Sequence, residues 1–390
     1  MKNIYLDHAA AAPLLPEAAA AMQRAYPEGF ANTSAVHQWG QRAEYLLTEA
    51  RNTAADLLGC RPNEIIFTGS GTESDNLAIR GVALARRKAN GANHLLISTV
   101  EHPAVAATAK ALADDFGFTV ETVPVDRFGK CSPESIVERL RPNTALVSVI
   151  HANNEIGTIN SIDTLAEPCR TRGIPFHTDA VQSAPWIPLK EVAEHVSALS
   201  IGGQKLGGPG LGILMVRKGT PIVPLITGGG QEFGVRSGTP HVPAIVGLVE
   251  ALRHCTEKRS ERVLHVSLLQ RQIIEKTVGV IEGVELLGHI TARTPNHVSL
   301  RVAGVESNTL ARRLDLHGFA VSPGAACKTG NPAPSSVLLA LGLSETAARE
   351  GLRITLGPQT TIAEVEAFLA LFPTVVAEAR KRSVAPKENP

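Results

Sequence analysis

Short runs of aliphatic and β-branched residues recur along the first two thirds of the chain, at Glu64–Phe67, His94–Ser98, Ala145–Ile150, Pro175–His177 and Gly212–Arg217. Between several of them lie longer alanine- and leucine-rich segments whose apolar positions return with helical spacing, as in Asp75–Lys88 and Ala104–Asp115. Strands alternating with helices predict an α/β fold built on a largely parallel sheet covered on both faces. Such sheets hold ligands at the carboxyl ends of their strands, and the polar signatures of this chain fall just after its apolar runs. The pattern changes near residue 255. His254–Lys276 reads as a charged helix, Val284–Leu287 and His297–Val302 as short strands, and Ser307–His317 as another helix. A smaller α+β domain is expected there. The expected division is a large domain at 16–258, a small one formed by 1–15 and 259–380, and a frayed polar tail at 381–390.

Composition narrows the function classes. Of 390 residues, 44% are hydrophobic and 4% aromatic, so the core must be mostly aliphatic. The net charge of +1 gives no electrostatic case for nucleic acid or an anionic membrane. The N-terminal stretch has no uninterrupted apolar core of the signal-peptide kind, and no run approaches the length of a membrane span. A cytoplasmic enzyme is the expectation. The five cysteines are odd in number and scattered, which fits neither a disulfide framework nor a zinc knuckle. Four read as small hydrophobes or inert thiols. Cys327 stands apart because it lies in SPGAACKTGNPAP, where a thiol can be exposed and Lys328 favours the thiolate.

The glycines bring in chemistry. IIFTGSGTESDNLAI reads as a strand, a glycine turn and a helix start, with Gly71 and Thr72 as donors to an anion. The plain alternative is a tight turn with Thr72 as an ordinary cap. A dinucleotide fingerprint is disfavoured, because Ser74 stands at its third glycine and no acid follows about 20 residues on. The cluster GGGQEFGVRSGT, 228–239, suits a flexible loop, an anion contact or a subunit boundary. Asp179, His102, Asn153 and Asn154 each follow an apolar run, so together they line one sheet edge. Lys205, the lone charge in the glycine-rich stretch ALSIGGQKLGGPGLGILMV, joins them. A lysine, a phosphate cradle, an aspartate and a histidine point to pyridoxal phosphate: the amine forms a Schiff base, and the aspartate keeps the pyridine nitrogen protonated.

The motifs YLDHAAAAP, NTSAVHQWG, FTGSGTESDNLAI, EHPAV, HANNEIGT, HTDAVQS, GGGQEFGVRSGT and PGAACKTGNPAPSSVLLALG occur in the order found in cysteine desulfurases of the NifS/IscS type. The resemblance runs from about residue 4 to about residue 370. It implies pyridoxal-phosphate fold type I of the class V aminotransferase group, with a mostly parallel seven-stranded sheet. It implies that Lys205 is the Schiff-base lysine, Asp179 the partner of the ring nitrogen, and His102 the histidine that stacks on the ring and moves protons. Gln182 matches a contact to the ring hydroxyl, Gly71 and Thr72 the phosphate cradle, and Thr239 a phosphate contact from the other subunit of a homodimer. Asn154 and Arg353 match the substrate-carboxylate site, to which a guanidinium fork is suited. Cys327 matches the nucleophile that takes sulfur from L-cysteine, leaving L-alanine and a persulfide for a sulfur-acceptor protein, an iron–sulfur scaffold or another thiolation partner. Selenocysteine lyase, another lyase or transferase of the same cofactor, and a non-catalytic binding protein of the same fold are the alternatives.

The chain departs from that family at the lysine. Gly202 and Gln204 stand where a serine and a histidine usually donate to the phosphate. A weaker hold on the cofactor is therefore expected, by about 1–3 kcal/mol per lost donor, with the Gln204 amide and the Gly202 N–H as the remaining donors. Phe233 replaces a common arginine, the GGPGLG stretch is one residue shorter than usual, and the tail lacks the apolar segment with which housekeeping members engage a scaffold. The sulfur acceptor does not follow from the resemblance.

Overall fold

The computed structural model describes residues 3–324 and 333–383. Its strands, in chain order, begin with β1 (Ile4–Tyr5), β2 (Ile65–Thr68), β3 (His94–Ser98), β4 (Thr119–Val123), β5 (Thr144–Ser148), β6 (Phe176–Asp179), β7 (Ala198–Gly202) and β8 (Gly212–Val216). The last seven form one sheet in the order β2-β8-β7-β6-β5-β3-β4. Only β8 runs against its neighbours, antiparallel to both β2 and β7. The expected mostly parallel seven-stranded α/β sheet is thus present. Helices cover both faces of its inner strands, so Leu96, Val147, Ile201 and Ile213 are fully buried, as is Ile65 on the edge strand β2. Each contributes about 1.5–3 kcal/mol by leaving water.

Two strands of this sheet were not legible from periodicity. β4 (TVETV) is a half-exposed edge strand with few apolar residues, and β7 runs straight into the glycines that follow it. The first helices are α1 (Pro16–Gly29), α2 (Gln38–Leu58), α3 (Gly71–Asn90) and α4 (Pro103–Phe116), of which α3 and the start of α4 border the site. The region read as one charged helix is two. Val242–Glu257 is mostly buried against α1 and α2, and Arg259–Thr277 follows it after Lys258.

A second sheet follows, from β9 (Val284–Leu286), β10 (His297–Val302), β11 (Phe319–Ala320), β12 (Ser322–Pro323) and β13 (Gly351–Thr355). Its antiparallel order is β12-β13-β10-β9, while β11 pairs in parallel with β1. Its core is separate from that of the large sheet. Val298, Leu300, Leu352 and Ile354 pack with Leu310, Phe368 and Phe372 from flanking helices, and the last two rings stack at 5.0 Å. Leu6 belongs to this second core, whereas Leu15 belongs to the first. The first segment of the chain therefore crosses from one core to the other, and it does so over the strand ends of the large sheet.

Candidate active site

Asp179 is the last residue of β6, and Lys205 follows the end of β7 by three residues. The glycines around Lys205 are there because the chain folds back tightly. A Cβ on Gly203 would lie 2.2 Å from the Pro209 carbonyl oxygen, and Gly207 has φ +77. Lys205 thus rises from the single turn Gly203–Leu206 into a crevice instead of trailing from a surface hairpin.

α3 begins immediately after β2. Ser70, and not Thr72, is its N-cap: its hydroxyl accepts from the Glu73 N–H at 3.0 Å. Gly71 and Thr72 are then the first two helical residues, whose N–H groups precede any intrahelical bond and suit an anion. A Cβ on Gly71 would come within 2.9 Å of Val181 Cγ2, so the approach there needs glycine. At the end of β3, His102 caps α4 by accepting from the Ala104 N–H at Nδ1, 3.1 Å away. That bond fixes the neutral ring with its proton on Nε2.

These elements surround a cavity of about 350 Å³ lined by Gly71, Thr72, His102, Asp179, Gln182, Gln204 and Lys205 on the large-sheet side. Asn154 and Arg353 complete it from the other side. Titrations in it are set by lost water. Burial is the main force on Lys205 and, with the Arg353 charge, brings its amine down to about 8. Burial lowers His102 and raises Asp179, whose carboxylate is in turn favoured by His102, the Val181 N–H and Lys205. The Val181 N–H donates to Asp179 Oδ1 at 2.8 Å. A third group, Asp75, projects from α3 so that Asp75, His102 and Asp179 bring polar atoms within 4.8 Å of one another. Asp75 is fully buried and raised well above the ordinary carboxylate range, first by desolvation and then by Asp179. Sequence reasoning missed it. The available signal was a lone acid on the apolar face of α3, four residues after Gly71 and three before Ala78.

The rim is built by recognition groups. Arg353, on β13, is buried and donates to the Asn154 carbonyl at 2.8 Å and to Asp7 Oδ1 at 2.8 Å. Gln182 Nε2 donates to the Ala9 carbonyl at 2.9 Å, and Lys205 Nζ to the Ala10 carbonyl. Residues 7–10 thus touch three groups of the crevice, a role no motif announced. Asn153, grouped with Asn154 by sequence, is spent on structure: its amide holds the Val100 carbonyl and the N–H groups of Glu155 and Ile156.

Two expected site residues among the described ones are not in the cavity wall. Gly202 lies beside it, its Cα 3.3 Å from where a Gly71 Cβ would stand. Thr239 lines a different cavity with Arg236, Glu232 and Phe67. Cys327 lies outside the described residues. The loop carrying Thr239 is far from slack. Glu232 accepts both terminal nitrogens of Arg51 at 2.8 and 2.7 Å and the Phe67 N–H at 2.8 Å. Glu232 and Phe233 sit at φ 48 and 59, left-handed values that non-glycine residues rarely adopt.

The donor set fits pyridoxal phosphate. Free helix N–H groups would suit a phosphate, a desolvated amine an aldehyde, and a buried carboxylate a ring nitrogen. Gln204 Oε1 is buried without a partner among the described residues; it is an acceptor, so an anion there would be met by the Nε2 end of the same amide.

The profile of the aminotransferase class-V family matches residues 4–368. An IscS-like cysteine desulfurase of Mycobacterium tuberculosis is 39% identical over 389 residues, covering 98% of each chain. A solved NifS-like protein superposes with a TM-score of 0.88 at 31% identity, covering 96% of this chain and 100% of that one. SspA, solved in complex with cysteine, gives a TM-score of 0.77 at 33% identity, covering 92% and 99%. The chain belongs to the class V aminotransferase family, among its cysteine desulfurases.

Proposed function

We propose that this chain is a pyridoxal-phosphate-dependent cysteine desulfurase, taking sulfur from L-cysteine and releasing L-alanine. The observation that carries this reading is the meeting of Lys205, Asp179, His102 and the α3 N-terminus around one cavity, with Arg353 opposite. When bound, the cofactor supplies an aldehyde that captures amines and a ring that accepts electrons. Gly71 and Thr72 would hold its phosphate, helped by Gln204 and the Gly202 N–H. Asp179 would hold its ring nitrogen, and Gln182 its hydroxyl. Lys205, with its amine brought down to about 8, has a usable neutral fraction near pH 7. His102 Nε2 and Lys205 Nζ are the two positions from which protons can be moved. Arg353 and Asn154 orient the substrate carboxylate.

The sulfur acceptor of this reading is Cys327. Its thiolate attacks the substrate sulfur, the Cβ–S bond breaks, and the electron pair stays with Cβ, which takes up a proton to give alanine. The persulfide then passes to a sulfur-acceptor protein, an iron–sulfur scaffold or another thiolation partner.

A homodimer completes the proposal. Phe30, Trp39, Tyr45 and Phe233 are exposed by 67, 47, 63 and 58% around α2 and the 228–239 loop. Thr239, which does not reach its own chain's cavity, lies on the same side and would serve the partner's phosphate. The proposed division into 16–258 and 1–15 with 259–380 accords with two separate hydrophobic cores. A cytoplasmic setting accords with the lack, among the described residues, of any helix long and apolar enough to cross a membrane. The test is mass spectrometry after addition of L-cysteine. A gain of one sulfur on the peptide bearing Cys327, absent in Cys327→Ser, supports the reading. Full conversion of cysteine to alanine by Cys327→Ser overturns it.

A further inference from the structure

The Asp7–Arg353 pair is not a passing surface contact. Tyr5 Oη donates to the Asp7 and Ala11 carbonyls at 3.0 and 2.8 Å. The Ala9 N–H donates to Thr355 Oγ1 at 2.9 Å, and Asp7 pairs with Thr355 as an isolated parallel bridge. Thr355 is two residues beyond Arg353 on the same strand, so Asp7 and Arg353 are carried by one hydrogen-bonded unit. The Asp7 carboxylate is therefore held at the guanidinium whether or not a ligand is present. The Arg353 side chain is 8% exposed and that of Asp7 is 20% exposed, so the pair is poorly screened.

The guanidinium has donors to spare. One terminal nitrogen serves Asn154, the other serves Asp7, and Nε is buried without a partner among the described residues. An incoming carboxylate finds free N–H groups, but it also finds a second fixed negative charge beside them. We propose that Asp7 competes with ligand carboxylates for Arg353 and loosens the hold on all of them, so that amino-acid product leaves readily. This inference rests on the reading of Arg353 as the carboxylate site. It adds that the site as folded is charge-balanced before any ligand enters. A monocarboxylate then binds by sharing the guanidinium, not by filling an empty cationic hole. A desulfurase whose product keeps the substrate's carboxylate gains faster product release from such sharing, at an equal cost in ground-state binding of cysteine.

The test uses holoenzyme and two ligands that differ only in a carboxylate, L-alanine and ethylamine, with binding followed by the cofactor's absorbance. The wild type should bind alanine more tightly than ethylamine. Asp7→Asn should tighten alanine by about fivefold or more, the effect of one removed charge at such a distance, and leave ethylamine unchanged. Asp7→Ser, a second neutral variant, should do the same, and Asp7→Glu should stay near the wild type. If the wild type prefers alanine but neither neutral variant tightens it, the role given to Asp7 is wrong and that of Arg353 stands. If the wild type shows no preference for alanine, and Arg353→Lys changes neither ligand, the carboxylate site itself is wrong and this inference falls with it.

Discussion

The floor and the rim of the cavity are made differently. The floor comes from the ends of β3, β6 and β7 and the start of α3, and its groups are charged or reactive residues taken deep out of water. Burial is the first cause of every shift there: Lys205 down, His102 down, Asp179 and Asp75 up. The rim comes from β13 and the segment crossing from β1. Its charge, Arg353, is met by a carboxylate and a main-chain carbonyl. The difference teaches a division of labour. A floor that withholds solvation tunes reactivity, while a rim that supplies counter-charge sets recognition.

The largest break in that contrast is Lys205→Ala. Losing the amine should lower kcat by about 10³-fold or more, since it removes both the covalent anchor and a proton-transfer group. Bound cofactor should then be released by denaturation even after borohydride treatment, which in the wild type would fix it covalently to Lys205. Arg353→Lys should act on the rim instead. Losing the fork geometry should raise KM for L-cysteine by about 10–100-fold, as for a charged hydrogen bond lost, with kcat changed far less. Steady-state kinetics on both variants checks the split. Equal losses in kcat and KM for Arg353→Lys would erase the distinction.

Much of the floor was legible because each residue follows an apolar run, and apolar runs mark strands. Asp179 and His102 were found that way, as was Asn154 opposite them. Lys205 was found because a charge among glycines has few bland explanations once a phosphate cradle is nearby. The rim was less legible. Asp7 meets Arg353 across 346 positions of sequence, and no local pattern reports such a pairing. Asp75 was hidden for the opposite reason, since an acid in a helix start reads as a favourable dipole partner. β4 and β7 were missed because one is too polar for strand periodicity and the other runs straight into a glycine-rich turn that hides its end.

Next in size is the departure at Gly202 and Gln204. A Cβ on Gly202 would stand 3.0 Å from Gln204 Oε1 and 3.1 Å from Val181 Cγ1. The missing side chain and the amide that replaced the imidazole are therefore sterically linked. Gln204→His should slow cofactor loss on dialysis by about tenfold, through one restored donor to a charged group. Equal retention by the wild type would show that the amide already does the work.

A smaller effect belongs to pH. With its amine at about 8 instead of 10.5, Lys205 should make uptake of pyridoxal phosphate by apoprotein rise through pH 8 and level off above it. The same shift has a stability sign. Between pH 8 and 10.5 the folded apoprotein binds fewer protons at this site than the unfolded chain, so this lysine's contribution to stability increases with pH across that window. An uptake rate still climbing steeply at pH 10 would mean that Lys205 keeps its water and the floor is not dry.

The smallest effect is expected where the floor looks most charged. Asp75 and Asp179 are buried together, and two carboxylates so close do not both ionise readily. Asp179 has three influences favouring its anion, from His102, Val181 and Lys205, whereas Asp75 has only the Ser200 hydroxyl. The proton therefore belongs on Asp75. A protonated carboxyl is nearly the size and polarity of an amide, so Asp75→Asn should cost less than about 1 kcal/mol in stability and leave kcat within about threefold. Asp75→Leu should cost more on both counts, since it strips a polar partner from Ser200 and from His177, 3.6 Å away. Denaturant titration and the pH–rate profile separate the two. A large change in the profile for Asp75→Asn would put the negative charge on Asp75, and the floor would then hold its carboxylates by charge and not by dryness.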